Sequence, residues 1–144
     1  MGDILVGTAV TDVTGVAHFT VRRSAHTNFW VHQDTGDGYA HTASELYQLH
    51  IRGTVALTVP TYARHGRAFT VTATVNPSGS GQLVTLQRRV GTGWVTITRA
   101  RTSGNRATMS VLCRTVATWD LPAVVANSAH WYGGSSRTMR VRIL

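Results

Sequence analysis

Seven histidines and six acidic residues are the side chains that acid–base or metal chemistry would draw on in this 144-residue sequence. His18, His32 and His50 fall on the polar side of three strand-like runs, and imidazoles converging there would offer a metal site. Their spacing argues otherwise. There is no His-Glu-x-x-His, no paired carboxylate beside them, and no two histidines two residues apart on one strand. The acids are Asp3, Asp12, Asp34, Asp37, Glu45 and Asp120, of which Asp12, Asp34 and Asp37 sit in turn sequences. A glycosidase-type pair would have to be assembled from separate turns. Gly79-Ser-Gly81 is too short for a nucleophile elbow. The expectation is a non-catalytic chain with neither a cofactor nor a metal ion.

Binding chemistry has more to draw on. All 14 basic residues are arginine, and the formal charge is +8. The guanidinium fork suits phosphate and carboxylate alike. The arginines stand singly or in pairs, however, which fits a codon bias better than a recognition patch. A charge of this sign favours weak contact with anionic surfaces. Arg137, Arg140 and Arg142 line one outer strand face, and Arg88, Arg89, Arg99 and Arg101 surround a hairpin. No aromatic ladder accompanies them, so no specific nucleic-acid site is expected. The loop around Ser128-Ala-His-Trp-Tyr-Gly-Gly is the best place for a ligand. Trp131 is placed to stack on a sugar or a partner, with Tyr132 and Arg137 beside it. The competing reading packs Tyr132 under the loop as a corner residue, as Tyr39 would be in an earlier turn. Cys113 is the single cysteine, so an internal disulfide is impossible; its alternate spacing with Ala107, Met109 and Val111 makes it a core thiol.

The elements that must position these groups read as short strands. Residues 82–99 form the clearest unit, two alternating runs joined at Val90-Gly-Thr-Gly93, with Val84 and Leu86 on one face and Thr85 and Gln87 on the other. Further strands are expected at 4–10, 16–22, 27–32, 45–52, 55–59, 68–75, 106–113, 116–121 and 137–143. Turn chemistry separates them, as at Thr11-Asp-Val-Thr-Gly15 and Asp34-Thr-Gly-Asp-Gly38. Thr, Val, Gly and Arg are abundant, whereas Lys is absent and Glu occurs once, a balance that disfavours helix. No apolar run is long enough to cross a bilayer as a helix. The opening residues carry no basic segment, long apolar segment or cleavage site of a signal peptide.

The strands repeat. Residues 4–11 lie over 95–102. Ala17, Phe19 and Val21 lie over Ala107, Met109 and Val111; Phe29 and Val31 over Trp119 and Leu121; Leu49 and Ile51 over Val141 and Ile143. The expectation is an all-β chain, an immunoglobulin-like Greek-key β-sandwich over 53–144 preceded at 1–52 by the last four strands of another. Such a half-sandwich exposes Phe19, Val21, Phe29 and Val31 and leaves strand edges open. Cover would come from upstream residues outside this sequence, from packing on the complete unit, or from strand exchange or self-association with another chain.

Leu83-Val-Thr-Leu-Gln-Arg-Arg with Gly93-Trp-Val, and Tyr132-Gly-Gly-Ser-Ser-Arg-Thr before the last strand, resemble the tandem immunoglobulin-like repeats of actinobacterial surface and secreted proteins. Thr11-Asp-Val-Thr-Gly-Val-Ala-His-Phe-Thr-Val and Gly36-Asp-Gly-Tyr-Ala resemble the matching second half. Pro122 departs from the pattern by interrupting a strand that is unbroken in such repeats. The resemblance implies a structural or adhesive module of an extracellular or cell-surface protein, a spacer with weak affinity for a protein or envelope glycan. Two alternatives accompany it. One is a virion component, a tail or capsid decoration of an actinobacterial phage. The other is a carbohydrate-binding accessory module of a secreted hydrolase.

Overall fold

The computed structural model describes residues 4–23, 25–33 and 42–144. The chain is all-β, with no helix among the described residues, and its core is a sandwich that begins at Thr54. One layer is three-stranded. β5 (Thr54–Thr58) and β10 (Arg106–Leu112) flank β7 (Ala68–Asn76), each antiparallel to it. Alternation places Val55 and Leu57, Phe69, Val71, Ala73 and Val75, and Ala107, Met109 and Val111 inward, all buried.

The facing layer is built from β8 (Leu83–Val90), β9 (Gly93–Arg101), β11 (Thr118–Leu121), β12 (Ala123–Val125), β13 (Gly134–Ser135) and β14 (Met139–Ile143). β11 and β12 are two halves of one strand separated by Pro122. They pair with β14 and β13, two parts of the next strand. The register slips by one residue between Leu121↔Met139 and Val124↔Ser135. Proline has no N–H for a ladder, so an interruption at 122 has a direct cause. Ser136 fills the gap: its hydroxyl accepts the Ala123 N–H at 2.9 Å while its own N–H donates to Ala123 O at 2.8 Å. Pro122 O in turn accepts the Gln87 N–H at 3.0 Å, beside the bulge at Leu86/Gln87. The departure noted at Pro122 is thus a matched pair of irregularities in neighbouring strands. β12 continues the layer onto β8, and β9 forms its edge. On the other side β6 (Tyr62–Ala63) pairs parallel with β14. The chain leaves one layer after β7, returns after β9, and leaves again after β10, which is the Greek-key path.

Val84, Leu86, Leu121, Val141 and Ile143 from this layer are almost wholly buried against the first. Each such aliphatic side chain contributes about 1.5–3 kcal/mol by leaving water. Cys113 is wholly buried, and desolvation pushes its thiol pKa up. Trp119 is buried and Trp94 is half-exposed, so the two tryptophans part company.

Ahead of the sandwich the ladders are short. β1 (Thr27–Phe29) pairs antiparallel with β4 (Tyr47–Leu49), and β2 (His32–Gln33) with β3 (Thr42–Ala43). The segments that the internal overlay sets against β11 and β14 therefore meet each other, with Thr27 opposite Leu49. That register is two residues away from the counterpart of Trp119↔Val141. A two-residue slip keeps every side chain on its original face. The strands expected at 4–10 and 16–22 are not formed. Alternation gives a run two faces, but it becomes a strand only when another edge pairs with it. Phe19 and Val31 are 44% and 46% exposed. The turn between those runs is present: Asp12 Oδ1 accepts the Thr14 N–H, the Thr14 hydroxyl and the Val16 N–H, and Gly15 has a φ of 83°. The Thr14 hydroxyl and these backbone donors hold the Asp12 carboxyl below its ordinary pKa. Asp34, Asp37 and Tyr39 lie outside the described residues.

Candidate functional site

The loop between β12 and β13 carries the residues singled out for ligand contact, and their exposure is the reverse of the expected one. Trp131 is 3% exposed and belongs to the core cluster. Its indole lies on Gly53, where a Cβ would stand 2.2 Å from Cζ3. No face is left to stack on a sugar. Tyr132, the expected corner residue, is 45% exposed. Arg137 is exposed at the end of the loop. Local hydrogen bonds explain why Trp131 turns inward. Ser128 Oγ accepts the His130 and Trp131 N–H groups at 3.2 Å each, and the Ser128 N–H donates to Trp131 O at 3.0 Å. Asn127 Oδ1 takes the Gly133 N–H at 2.7 Å. The loop closes on itself and points its largest side chain down.

The same loop fastens the upstream segment. Tyr132 N–H donates to Ile51 O at 2.8 Å, and Gly53 N–H donates to Tyr132 O at 2.7 Å, a two-way parallel bridge centred on Arg52 and Tyr132. His26 N–H donates to His130 O, and His26 Nδ1 accepts the Ile51 N–H at 3.0 Å. The nitrogen that accepts must be unprotonated, which fixes the tautomer with hydrogen on Nε2. Around these bonds three rings gather. His26 lies 4.8 Å from Tyr132 and 5.3 Å from His50, and His50 lies 5.5 Å from Tyr132.

The histidines considered for a metal do not converge. His50 belongs to this joint, whereas His32 lies edge-on to Trp30 at 5.9 Å. Among the described residues no three His, Cys, Asp or Glu side chains gather as a metal would require.

A second feature was not singled out from the sequence. On the outer face of the β8–β9–β11–β14 layer, a shallow cleft of about 360 Å³ is lined by Arg89, Trp94, Asp120, Thr138 and Arg140. Arg89 and Trp94 are cross-strand partners next to the hairpin turn, whose Gly91 has a φ of 60°. Asp120 and Arg140 are cross-strand partners too, with Arg140 Nε 2.9 Å from Asp120 Oδ1. That bond and its charge raise the Arg140 pKa further. Arg88 points the other way, its guanidinium 4.5 Å above the buried Trp119 ring. The bulge at Leu86/Gln87 sets this arrangement, because it lies between the paired core stretch of the hairpin and the turn end where Arg89 meets Trp94. The available signal was the pairing of an aromatic with an arginine across a two-residue turn.

No protein-family model matches the chain, and no curated protein does. Among solved structures, one chain from "Structural basis of T cell specificity and activation by the bacterial superantigen toxic shock syndrome toxin-1" aligns with 8% identity and a TM-score of 0.49. That alignment covers 64% of this chain and 99% of the other.

Proposed function

We propose that this chain is a non-catalytic immunoglobulin-like module of an extracellular protein, a spacer that transmits tension along a tandem array and presents a weakly adhesive surface. The observation that carries this reading is the parallel pairing of β6 with β14. Arg142 N–H donates to Thr61 O at 3.0 Å, Leu144 N–H to Ala63 O at 2.9 Å, and His65 N–H to Leu144 O at 2.7 Å. β6 belongs to the chain's entry into the sandwich and β14 to its exit. A pull on the two ends of the chain draws parallel strands past each other, so these bonds are loaded together instead of one after another. The upstream joint at Tyr132 fits the same role, since it ties the preceding segment to the sandwich by backbone bonds on both sides of one residue.

Single-molecule pulling tests this. Handles at the two ends of the chain load β6 and β14 in shear. Handles at Thr61 and Thr138 sit at the same end of the parallel pair and peel it. The expected outcome is a clearly higher rupture force in the first geometry, preceded by a weaker event as the joint opens. Equal forces in the two geometries would contradict the spacer reading.

A further inference from the structure

We propose that the cleft between Trp94 and Arg140 is a binding site for carboxylated saccharides, chains of uronic-acid type. The site stands whether or not the module carries tension. Three chemistries line it together: an indole, two guanidinium groups and a carboxylate. Trp94 is 45% exposed, whereas the other large ring of this layer, Trp119, is buried. An indole held in a cleft offers an apolar platform for the C–H face of a pyranose. Arg89 uses its Nε on Gly91 O at 3.3 Å, and Arg140 uses its Nε on Asp120. Among the described residues the terminal nitrogens of both guanidinium groups have no protein partner, and each presents a fork suited to a carboxylate. Asp120 is the third element. Its bond to Arg140 fixes a carboxylate in the cleft lining, where it would accept hydrogen bonds from sugar hydroxyls.

Charge complementarity selects the acid form of the sugar. The lining carries two arginines and one aspartate, and Arg142 extends the positive side along the same outward face of β14. A neutral sugar leaves the guanidinium ends without a partner. A nucleic-acid strand matches the cleft less well for a reason other than charge: it brings successive bases, and the cleft offers one aromatic platform instead of a series. The cleft is also open and shallow, which suits a chain passing over it more than an enclosed small molecule.

Calorimetry on the full chain tests the proposal with four probes: a galacturonate oligomer, its methyl ester, inorganic polyphosphate, and oligo-dT. The galacturonate oligomer is expected to bind, and esterification to weaken it by about tenfold or more, as loss of charge-assisted bonds does. Trp94→Ala and Arg89→Ala should each lower affinity by about tenfold, while Trp94→Phe retains most of it. Arg106→Ala, on the opposite layer, removes the same charge and should leave binding unchanged. Arg89→Ala, at an exposed position, keeps the test open if Trp94→Ala misfolds. Three outcomes overturn the proposal: no binding of the galacturonate oligomer, equal binding of the ester, or equal binding of polyphosphate or oligo-dT with Arg106→Ala as damaging as Arg89→Ala. The last would mean diffuse charge attraction alone.

Discussion

Gly53 and Trp131 form a contact in which the absence of a side chain is the functional property. A Cβ at 53 would stand 2.2 Å from the indole, and Gly134 would meet Gly53 O at 2.1 Å if it carried one. Gly53→Ala should therefore cost about 1–3 kcal/mol, as overfilling of packed sites does. Measured by urea midpoint, the loss should shrink in a Trp131→Leu background, because the two residues act through one space. An equal loss in both backgrounds would place the strain elsewhere. Cys113 gives a second check. Burial both hides the sulfur and disfavours the thiolate, which is the reactive form. A disulfide reagent at neutral pH should leave the native thiol unreacted over minutes and titrate it fully in denaturant; rapid native reaction would contradict its core position. The alternation with Met109 and Val111 was enough to place Cys113 inward. It could not place Trp131 and Tyr132, because their orientation is decided by Gly53 and by the Ser128 hydroxyl, and neither contact leaves a periodic trace.

β5, β7 and β10 were legible because each carries its own two-faced pattern, buried and exposed in turn. β6, β12 and β13 are two or three residues long and have no room for a pattern. They exist because their neighbours supply edges. The cleft was hidden for a related reason: the bulge at Leu86/Gln87 shifts the β8–β9 register near the turn, and Trp94 ends on the outside beside Arg89. Thr102 marks the other end of the same hairpin. It is 4% exposed, its hydroxyl donates to Gly79 O and accepts the Gln82 N–H at 3.1 Å, and its own N–H donates to Gln82 O at 2.9 Å. Thr102→Val keeps the shape and leaves Gly79 O and Gln82 N–H without that partner. The expected cost is about 1–3 kcal/mol in thermal or urea unfolding. Faster exchange of the Gln82 amide should accompany it. A neutral result would mean that water replaces the hydroxyl without loss.

Across the whole chain, the sequence overlay relates two segments that the structure builds to very different degrees. The second has a facing layer for every apolar run. The first has short ladders and rests on the second through the joint at His26, Ile51 and Tyr132. Alternation is a property of a segment, whereas closure of a sandwich depends on the partner layer, so the overlay could not report it. This difference predicts two levels of opening within one molecule. His26→Ala removes the acceptor of the Ile51 N–H and one ring of the aromatic trio. Loss of one such hydrogen bond costs about 1 kcal/mol, which raises the open fraction of the joint about fivefold. Hydrogen exchange should then quicken at the Gly53 and Tyr132 amides, whose acceptors are Tyr132 O and Ile51 O. The amides of Val71 and Ala73, inside the central strand of the sandwich, should keep their rates. If instead all four quicken together, the joint and the sandwich open as one unit, and the weaker first event expected in the pulling experiment would disappear with them.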